Sequence, residues 1–332
     1  MAPRGFQLPH RILPALAPDS PSLVGPGGAI VCGVDELSPA NALLGDAKAL
    51  RRRLGRDGYL FFRGLLPAEQ TRAAADSVRT ALRRGGWIDD VGNASAQRRA
   101  LNPKDARGDP AFRAAITSPA FNRLPYLAEL RQAIRMVLGP EAFSYPAKVL
   151  RAVYPERPSG VARGRYVHQD YAVSGVQDML TTWVPLIDIP VRLGGLAVQP
   201  GSHLGPPQHP HVLGPGERGW ATAHYRAGDA LIFHCLTSHA ALPNRDRSLR
   251  LSGDFRWQSP DQPAPAQLVL GPGGQRELFS RLFARQPWWE PVPGGMPLIP
   301  RERLATISPG PSRYFAVHPG WRHWQHRDGA VH

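Results

Sequence analysis

Cysteine is almost absent from this 332-residue chain: Cys32 and Cys235 stand far apart, with no C-x-x-C pair. That argues against a disulfide framework and against a zinc knuckle, and a reducing, cytoplasmic setting is the simplest reading. Lysine is nearly as scarce, with only Lys48, Lys104 and Lys148, so the formal charge of +14 is carried almost entirely by arginine. Those arginines are spread along the chain and form no clustered basic motif, and no nucleic-acid partner is expected. No stretch approaches the roughly 18 uninterrupted apolar residues of a membrane span, and the N-terminus lacks a charged segment followed by an apolar core. Neither membrane insertion nor secretion is expected, and no internal repeat is present.

What is there is the composition of a folded protein, 42% hydrophobic and 20% charged, with 36 prolines and 34 glycines. So many turn formers favour β-rich architecture with irregular excursions over a helical bundle. The organisation expected is an extended arm over residues 1–37 and a single domain over 38–332. That domain divides into a helical part (38–140), a strand-rich core (141–260) and a covering segment (261–332).

The apolar spacing of Ala42, Leu43, Leu44, Ala47, Leu50 and Leu54 predicts a helix, which Asp57-Gly58 closes. Tyr59-Leu60-Phe61-Phe62 reads as a buried strand, and Pro67 opens a helix to about Arg84. Residues 87–108 are patternless, whereas 109–117 and 119–138 predict helices that stop at Gly139-Pro140. Beyond Phe143 the pattern changes to strands over 148–154, 179–184, 196–198, 230–233 and 249–257. Successive short strands without intervening helices imply a sandwich or barrel. The last segment carries Trp288, Trp289, Trp321 and Trp324 among prolines, with a helical patch near Gln275–Ala284.

His168-Gln169-Asp170 is an H-x-D, whose outer side chains share a face if the segment is extended. Among twelve histidines one such triplet has little weight alone. Two histidines and one carboxylate on one side of Fe(II) leave positions open for oxygen chemistry, so a second histidine is required. His239, just past the apolar strand Ala230–Phe233, is the leading candidate, while His234 within that strand reads as a core histidine. Further on, Arg250, Ser252 and Asp254 alternate onto one face of a strand. An arginine aimed inward must meet an anion, and its planar fork matches a carboxylate, with Ser252 as an added donor.

The order H-x-D, distal His, then Arg eleven positions on resembles the phytanoyl-CoA dioxygenase family of 2-oxoglutarate oxygenases. The resemblance also takes in Thr182-Trp183-Val184-Pro185-Leu186, Gly194–His203 and Gly228–Phe233, and more weakly Asp57–Leu66. It implies a mainly β, α+β fold: a double-stranded β-helix (jelly roll, cupin-like) with N-terminal helices packed on the sheet. It places the iron ligands on His168, Asp170 and His239, and the 2-oxoglutarate clamp on Arg250 with Ser252. Trp183 matches an aromatic lining the cosubstrate pocket, and a family lysine corresponds to Lys104 or Lys148. The implied cofactors are Fe(II), 2-oxoglutarate and O2, with ascorbate as a candidate reductant. The implied reaction is hydroxylation of a small organic molecule with release of succinate and CO2. A carboxylate at Asp170, where related halogenases have a small residue, favours hydroxylation. The same site also serves desaturation, cyclisation or epimerisation, and a non-catalytic binding protein on this scaffold is the remaining alternative. Arg151, Arg157, Arg163 and Arg165 hint at an anionic substrate, and the chain is expected to be a monomer or homodimer.

Other motifs have plainer readings. His209-Pro210-His211, like His323 and His326, reads as surface loop. Ser202 lacks a G-x-S-x-G elbow. Gly271–Gly274 lacks the context of a dinucleotide loop and reads as a turn. Asn93-Ala94-Ser95 is a glycosylation acceptor only in a secreted protein.

Overall fold

The computed structural model describes residues 23–24, 30–31, 34–95, 108–146, 148–156, 166–213, 217–270, 275–304 and 308–323. Lys104, Arg157, Arg163, Arg165, Gly271–Gly274, Trp324 and His326 lie outside them, as does most of the expected N-terminal arm. Among the described residues no helix is long and apolar enough to cross a membrane.

The helical opening begins later than the apolar spacing predicts. Asn41–Leu43 forms only a 3-10 turn, and the first helix, α1 (Ala47–Asp57), starts where the Asp46 side chain accepts the Ala49 N–H at 2.9 Å. A short polar side chain at the N-cap satisfies a backbone donor that the helix itself cannot. α2 (Ala68–Arg84) follows Pro67 as expected, then α3 (Pro110–Ile116) and α4 (Pro119–Arg123). The helix expected over 119–138 is two pieces: Pro125 sits in a 3-10 turn, and α5 (Ala128–Leu138) starts afresh beyond it. Proline lacks the N–H that a continuous helix would need there.

The strands are β1 (Val34–Glu36), β2 (Tyr59–Phe62), β3 (Phe143–Ser144), β4 (Val149–Val153), β5 (Tyr166–Val167), β6 (Leu180–Pro185) and β7 (Leu196–Val198). They continue with β8 (His211–Val212), β9 (Trp220–Thr222), β10 (Ala230–His234), β11 (His239–Ala241) and β12 (Arg250–Gln258). Two facing sheets result. The larger has the order β2-β10-β6-β12-β3, with β4 also paired to β12; the smaller is β11-β7-β9-β1. A ribbon of β5 and β8 extends the smaller sheet, because His168 bridges to His239. His211 is therefore a strand residue opposite Val167, not the loop residue the Pro-rich sequence suggests.

Period-two alternation sorts the larger sheet into two faces. Leu60, Phe62, Ile232, Val184, Leu251, Phe255 and Trp257 pack against Leu50, Leu54, Val78, Leu82, Leu130 and Ile134 of the helices. Tyr59, Phe61, Leu231, Phe233 and Trp183 turn the other way, onto Leu196, Val198, Ala221 and Tyr225 of the smaller sheet side. Gly253 lets a helix approach the sheet closely, since a Cβ there would lie 2.9 Å from the Phe121 ring. The result is the expected mainly β double-stranded β-helix core with helices on one face.

The C-terminal segment is tied to this core through buried Asp178. Its carboxylate meets His234 Nε2 at 3.2 Å and accepts from Ser312 Oγ at 2.7 Å and from the Arg313 N–H at 3.2 Å. His234 is thus the satisfied core histidine expected. Nearby, His203 donates from Nε2 to the Gly55 carbonyl at 3.0 Å and stands edge-on to Phe315, 4.5 Å between ring centroids.

Burial pulls the His203 pKa down from 6.5 to about 4. Its folded pKa is the lower one, so below 6.5 the unfolded chain takes up a proton that the folded chain refuses until about pH 4. Folding stability should therefore fall by roughly 2–3 kcal/mol through this group alone as pH drops across that window. Denaturant titrations of His203→Gln between pH 7 and pH 4 are expected to show a shallower fall than the parent protein; an unchanged slope would contradict the assignment.

Candidate metal centre

β5 runs directly into His168, and β11 begins at His239. The two residues exchange backbone hydrogen bonds, His168 N–H to His239 O at 3.1 Å and His239 N–H to His168 O at 3.0 Å. Opposed residues of an antiparallel pair project side chains to the same face, so this pairing by itself sets the two imidazoles together. Their ring centroids are 4.2 Å apart.

Each ring is oriented by its own chain. Nδ1 of His168 lies 3.1 Å from the Tyr166 carbonyl, and Nδ1 of His239 lies 3.0 Å from the Thr237 carbonyl. A carbonyl can only accept, so Nδ1 carries a proton in both rings, and the neutral form of each ring keeps its lone pair on Nε2. Nε2 is then the nitrogen available to a metal ion.

Asp170 is not in an extended segment, contrary to the expectation for the H-x-D. Its backbone is helical (φ −63, ψ −17), and it leads into the short helix α6 (Tyr171–Ser174). That turn carries the carboxylate to the imidazoles: Oδ1 is 4.0 Å from Nε2 of both His168 and His239. One donor atom from each of the three residues lies within 4.8 Å of the others, an arrangement able to hold a metal ion. Two imidazoles and one carboxylate suit Fe(II) and leave positions open around it.

The electrostatics agree with that donor set. Burial opposes the charge on Asp170, whereas the Arg256 guanidinium and the Thr181 hydrogen bond favour it, and the carboxyl lies well below the usual range. Burial, then the neighbouring His168, pulls His239 down to about 3, so it stays neutral. His168 is 32% exposed and His239 only 6%, so the open side of the site lies over His168.

Arg250 and Ser252, the residues expected to clamp the cosubstrate, sit on the inward face of the larger sheet. Arg250 opens β12, buried, with Nη1 donating to the Gly194 carbonyl at 2.5 Å. Gly194 has φ +80, and a Cβ there would lie 2.5 Å from the Leu242 carbonyl, so only glycine can bring its carbonyl to this place. Burial, together with nearby Arg151, lowers the guanidinium to about 10, and it remains a cation. Its Nε and the Ser252 hydroxyl are buried without a hydrogen-bond partner among the described residues. Such orphaned donors on one face are what a bound carboxylate would satisfy. Trp183 shares this face, opposite Asp254 in the ladder and edge-on to Tyr225 at 4.6 Å. Phe233, from the same face, reaches His239 with ring centroids 4.5 Å apart, so the face that carries Arg250 adjoins the triad.

Two side chains that the sequence reading did not name, Thr181 and Arg256, also converge here. Thr181 Oγ1 donates to Asp170 Oδ2 at 2.5 Å, and Arg256 Nη2 donates to Oδ1 at 3.3 Å. Asp254 accepts from Arg151 Nε and Nη2, each at 2.8 Å. The alternation that singled out Arg250, Ser252 and Asp254 continues to Arg256, and was the signal available for it.

Lys148 belongs elsewhere. Its Nζ lies 5.1 Å over the Tyr126 ring and 5.6 Å over the Trp289 ring, against the helical layer, and donates to the Tyr145 carbonyl at 3.2 Å. Burial lowers its pKa from 10.5 to about 7. A buried ammonium with one acceptor is a liability, so Lys148→Met should raise thermal stability at pH 7 by about 1 kcal/mol or more without changing metal affinity. Thermal melts and Co(II) titration check both halves; weakened Co(II) binding would return Lys148 to the site.

Residues 54–252 match the phytanoyl-CoA dioxygenase (PhyH) family. The chain is 27% identical over 241 residues to the 1-deoxypentalenic acid 11-beta-hydroxylase of Streptomyces exfoliatus, covering 65% of this chain and 82% of that one. Among solved structures it is similar to the carbocyclase SnoK from nogalamycin biosynthesis, with TM-score 0.49 and 19% identity over 78% of this chain and 98% of SnoK. It is also similar to EctD from S. alaskensis with 2-oxoglutarate and 5-hydroxyectoine, with TM-score 0.47 and 16% identity over 88% and 99%. With the family match covering most of its length and both of its paired histidines, the chain belongs to the phytanoyl-CoA dioxygenase family of Fe(II)- and 2-oxoglutarate-dependent oxygenases.

Proposed function

We propose that the protein hydroxylates an unactivated C–H bond of a small organic acid. The observation that carries this reading is the facial set His168, Asp170 and His239 beside a buried, incompletely satisfied Arg250. In this reading the three residues bind Fe(II), and Arg250 and Ser252 take the distal carboxylate of 2-oxoglutarate. Trp183 forms the apolar wall along its methylene chain. When bound, these groups couple the oxidation of 2-oxoglutarate to succinate and CO2 by dioxygen with insertion of one oxygen atom into the substrate. The protein's own part is orientation: two imidazoles locked in one tautomer, a carboxylate held at both oxygens, and a cosubstrate clamp on a strand.

Charge balance supports an anionic substrate. Among the described residues of this face, Arg151, Arg250 and Arg256 meet Asp170 and Asp254. Fe(II) and doubly charged 2-oxoglutarate neutralise each other, which leaves one positive charge in excess. Arg151 is the guanidinium in a position to use it, 46% exposed yet anchored on buried Asp254. A free acid is also what the hydroxylase from Streptomyces exfoliatus is named for.

Purified protein with Fe(II), 2-oxoglutarate and O2 should release succinate, and acceptance of a substrate should add one oxygen to its mass; loss of two hydrogens would favour desaturation instead. His168→Ala should abolish succinate release, whereas Arg250→Met should raise the KM for 2-oxoglutarate by about 100-fold, the loss of a buried charged hydrogen bond. In a screen of carboxylic acids against their methyl esters, acids should stimulate turnover more, and Arg151→Met should erase the preference. Equal stimulation by esters in the parent protein would rule out the anionic reading.

A further inference from the structure

Arg256 and Thr181 are directly opposed residues of the β12–β6 ladder, so their side chains leave the sheet on the same face and side by side. Each takes one oxygen of the same carboxylate. Thr181 Oγ1 donates to Asp170 Oδ2 at 2.5 Å, and Arg256 Nη2 donates to Oδ1 at 3.3 Å. Oδ1 is the oxygen that stands 4.0 Å from both imidazole Nε2 atoms. The pair is buried, with Arg256 9% and Thr181 3% exposed. Among the described residues Arg256 makes no other side-chain hydrogen bond that would explain its burial, and its Nε has no partner.

We propose that Arg256, together with Thr181, is a positioning residue for the metal's carboxylate ligand. The pair forms a cross-strand cradle that points Oδ1 of Asp170 at the ion and withholds Oδ2 from it. This rests on the metal reading of the triad. Its consequence is a carboxylate that binds through a single oxygen. A carboxylate free to rotate would bring both oxygens to the metal and occupy a position the cosubstrate or dioxygen needs. Outer partners of metal ligands act in this way by fixing orientation rather than by touching the ion.

The alternative role is purely electrostatic, with Arg256 present only to neutralise buried Asp170. The two roles predict opposite signs. A guanidinium that acts only through its charge repels a divalent cation, so its removal would tighten metal binding. A positioning guanidinium loosens the site when removed. The test is titration of metal-free protein with Co(II), read by affinity and by the visible spectrum of the bound ion, with thermal melts to establish folding. Arg256→Met is expected to weaken Co(II) binding by roughly 10–100-fold and to change the spectrum, with Arg256→Lys recovering much of both. Thr181→Val, which removes only the hydroxyl, should shift the spectrum in the same direction and carries the test if Arg256→Met does not fold. Unchanged or tighter Co(II) binding with the parent spectrum, in whichever of these variants folds, would overturn the proposal. Should His168→Ala and Asp170→Ala also bind Co(II) as tightly as the parent, it is the metal reading that fails.

Discussion

The site depends on one backbone pairing, the two hydrogen bonds between His168 and His239. Everything else in the triad follows from that register. A slip of one residue on either strand would send one imidazole to the opposite face and leave no pair of nitrogen donors. Several contacts hold the register from outside. β11 continues it by pairing His239 with Val198 and Ala241 with Leu196. On the other side, the Gln169 amide donates to the Leu236 carbonyl at 2.8 Å, and the Tyr171 N–H donates to the Cys235 carbonyl at 2.9 Å. The turn that delivers Asp170 is therefore fastened to the same short segment, 235–239, that delivers His239.

The second organising element is β12, whose outward residues belong to the hydrophobic layer and whose inward residues are all polar. Leu251, Phe255 and Trp257 anchor it on the helices, which leaves Arg250, Ser252, Asp254 and Arg256 no choice but the interior. Burying charge on this scale is unfavourable unless the charges find partners. Part of that compensation is internal, through Asp170 and Asp254. The Arg250 Nε and the Ser252 hydroxyl have no hydrogen-bond partner among the described residues. A strand that is apolar on one side and charged with vacant donors on the other is a foundation for a binding site, at a cost in intrinsic stability.

How much of this could be read from the sequence differs from residue to residue. The H-x-D, His239 and Arg250 were legible because few residue types hold iron or a carboxylate, and because alternation assigns β12 residues to a face without knowledge of the fold. Arg256 obeys the same alternation, but its role depends on Asp170, a neighbour made only by tertiary structure. Thr181 gave no signal, since a threonine in a strand resembles any other β-branched residue. The helical turn at Asp170 and the break at Pro125 were missed for the same reason: local patterns report periodicity and say little about where a chain must bend to meet a partner. Lys148 was ambiguous because its side of the sheet is set by packing against Tyr126 and Trp289, far away in sequence.

The central claim is that the backbone-paired histidines, Asp170 and Arg250 together bind Fe(II) and 2-oxoglutarate as one chelate. Anaerobic absorption spectroscopy of the purified protein measures this directly, because 2-oxoglutarate chelated to Fe(II) gives a visible charge-transfer band that neither component shows alone. The account predicts that the band forms on mixing all three, is lost in His239→Ala, and in Arg250→Met appears only at much higher 2-oxoglutarate. Absence of the band in the parent protein, or its persistence unchanged in His239→Ala, would contradict the account.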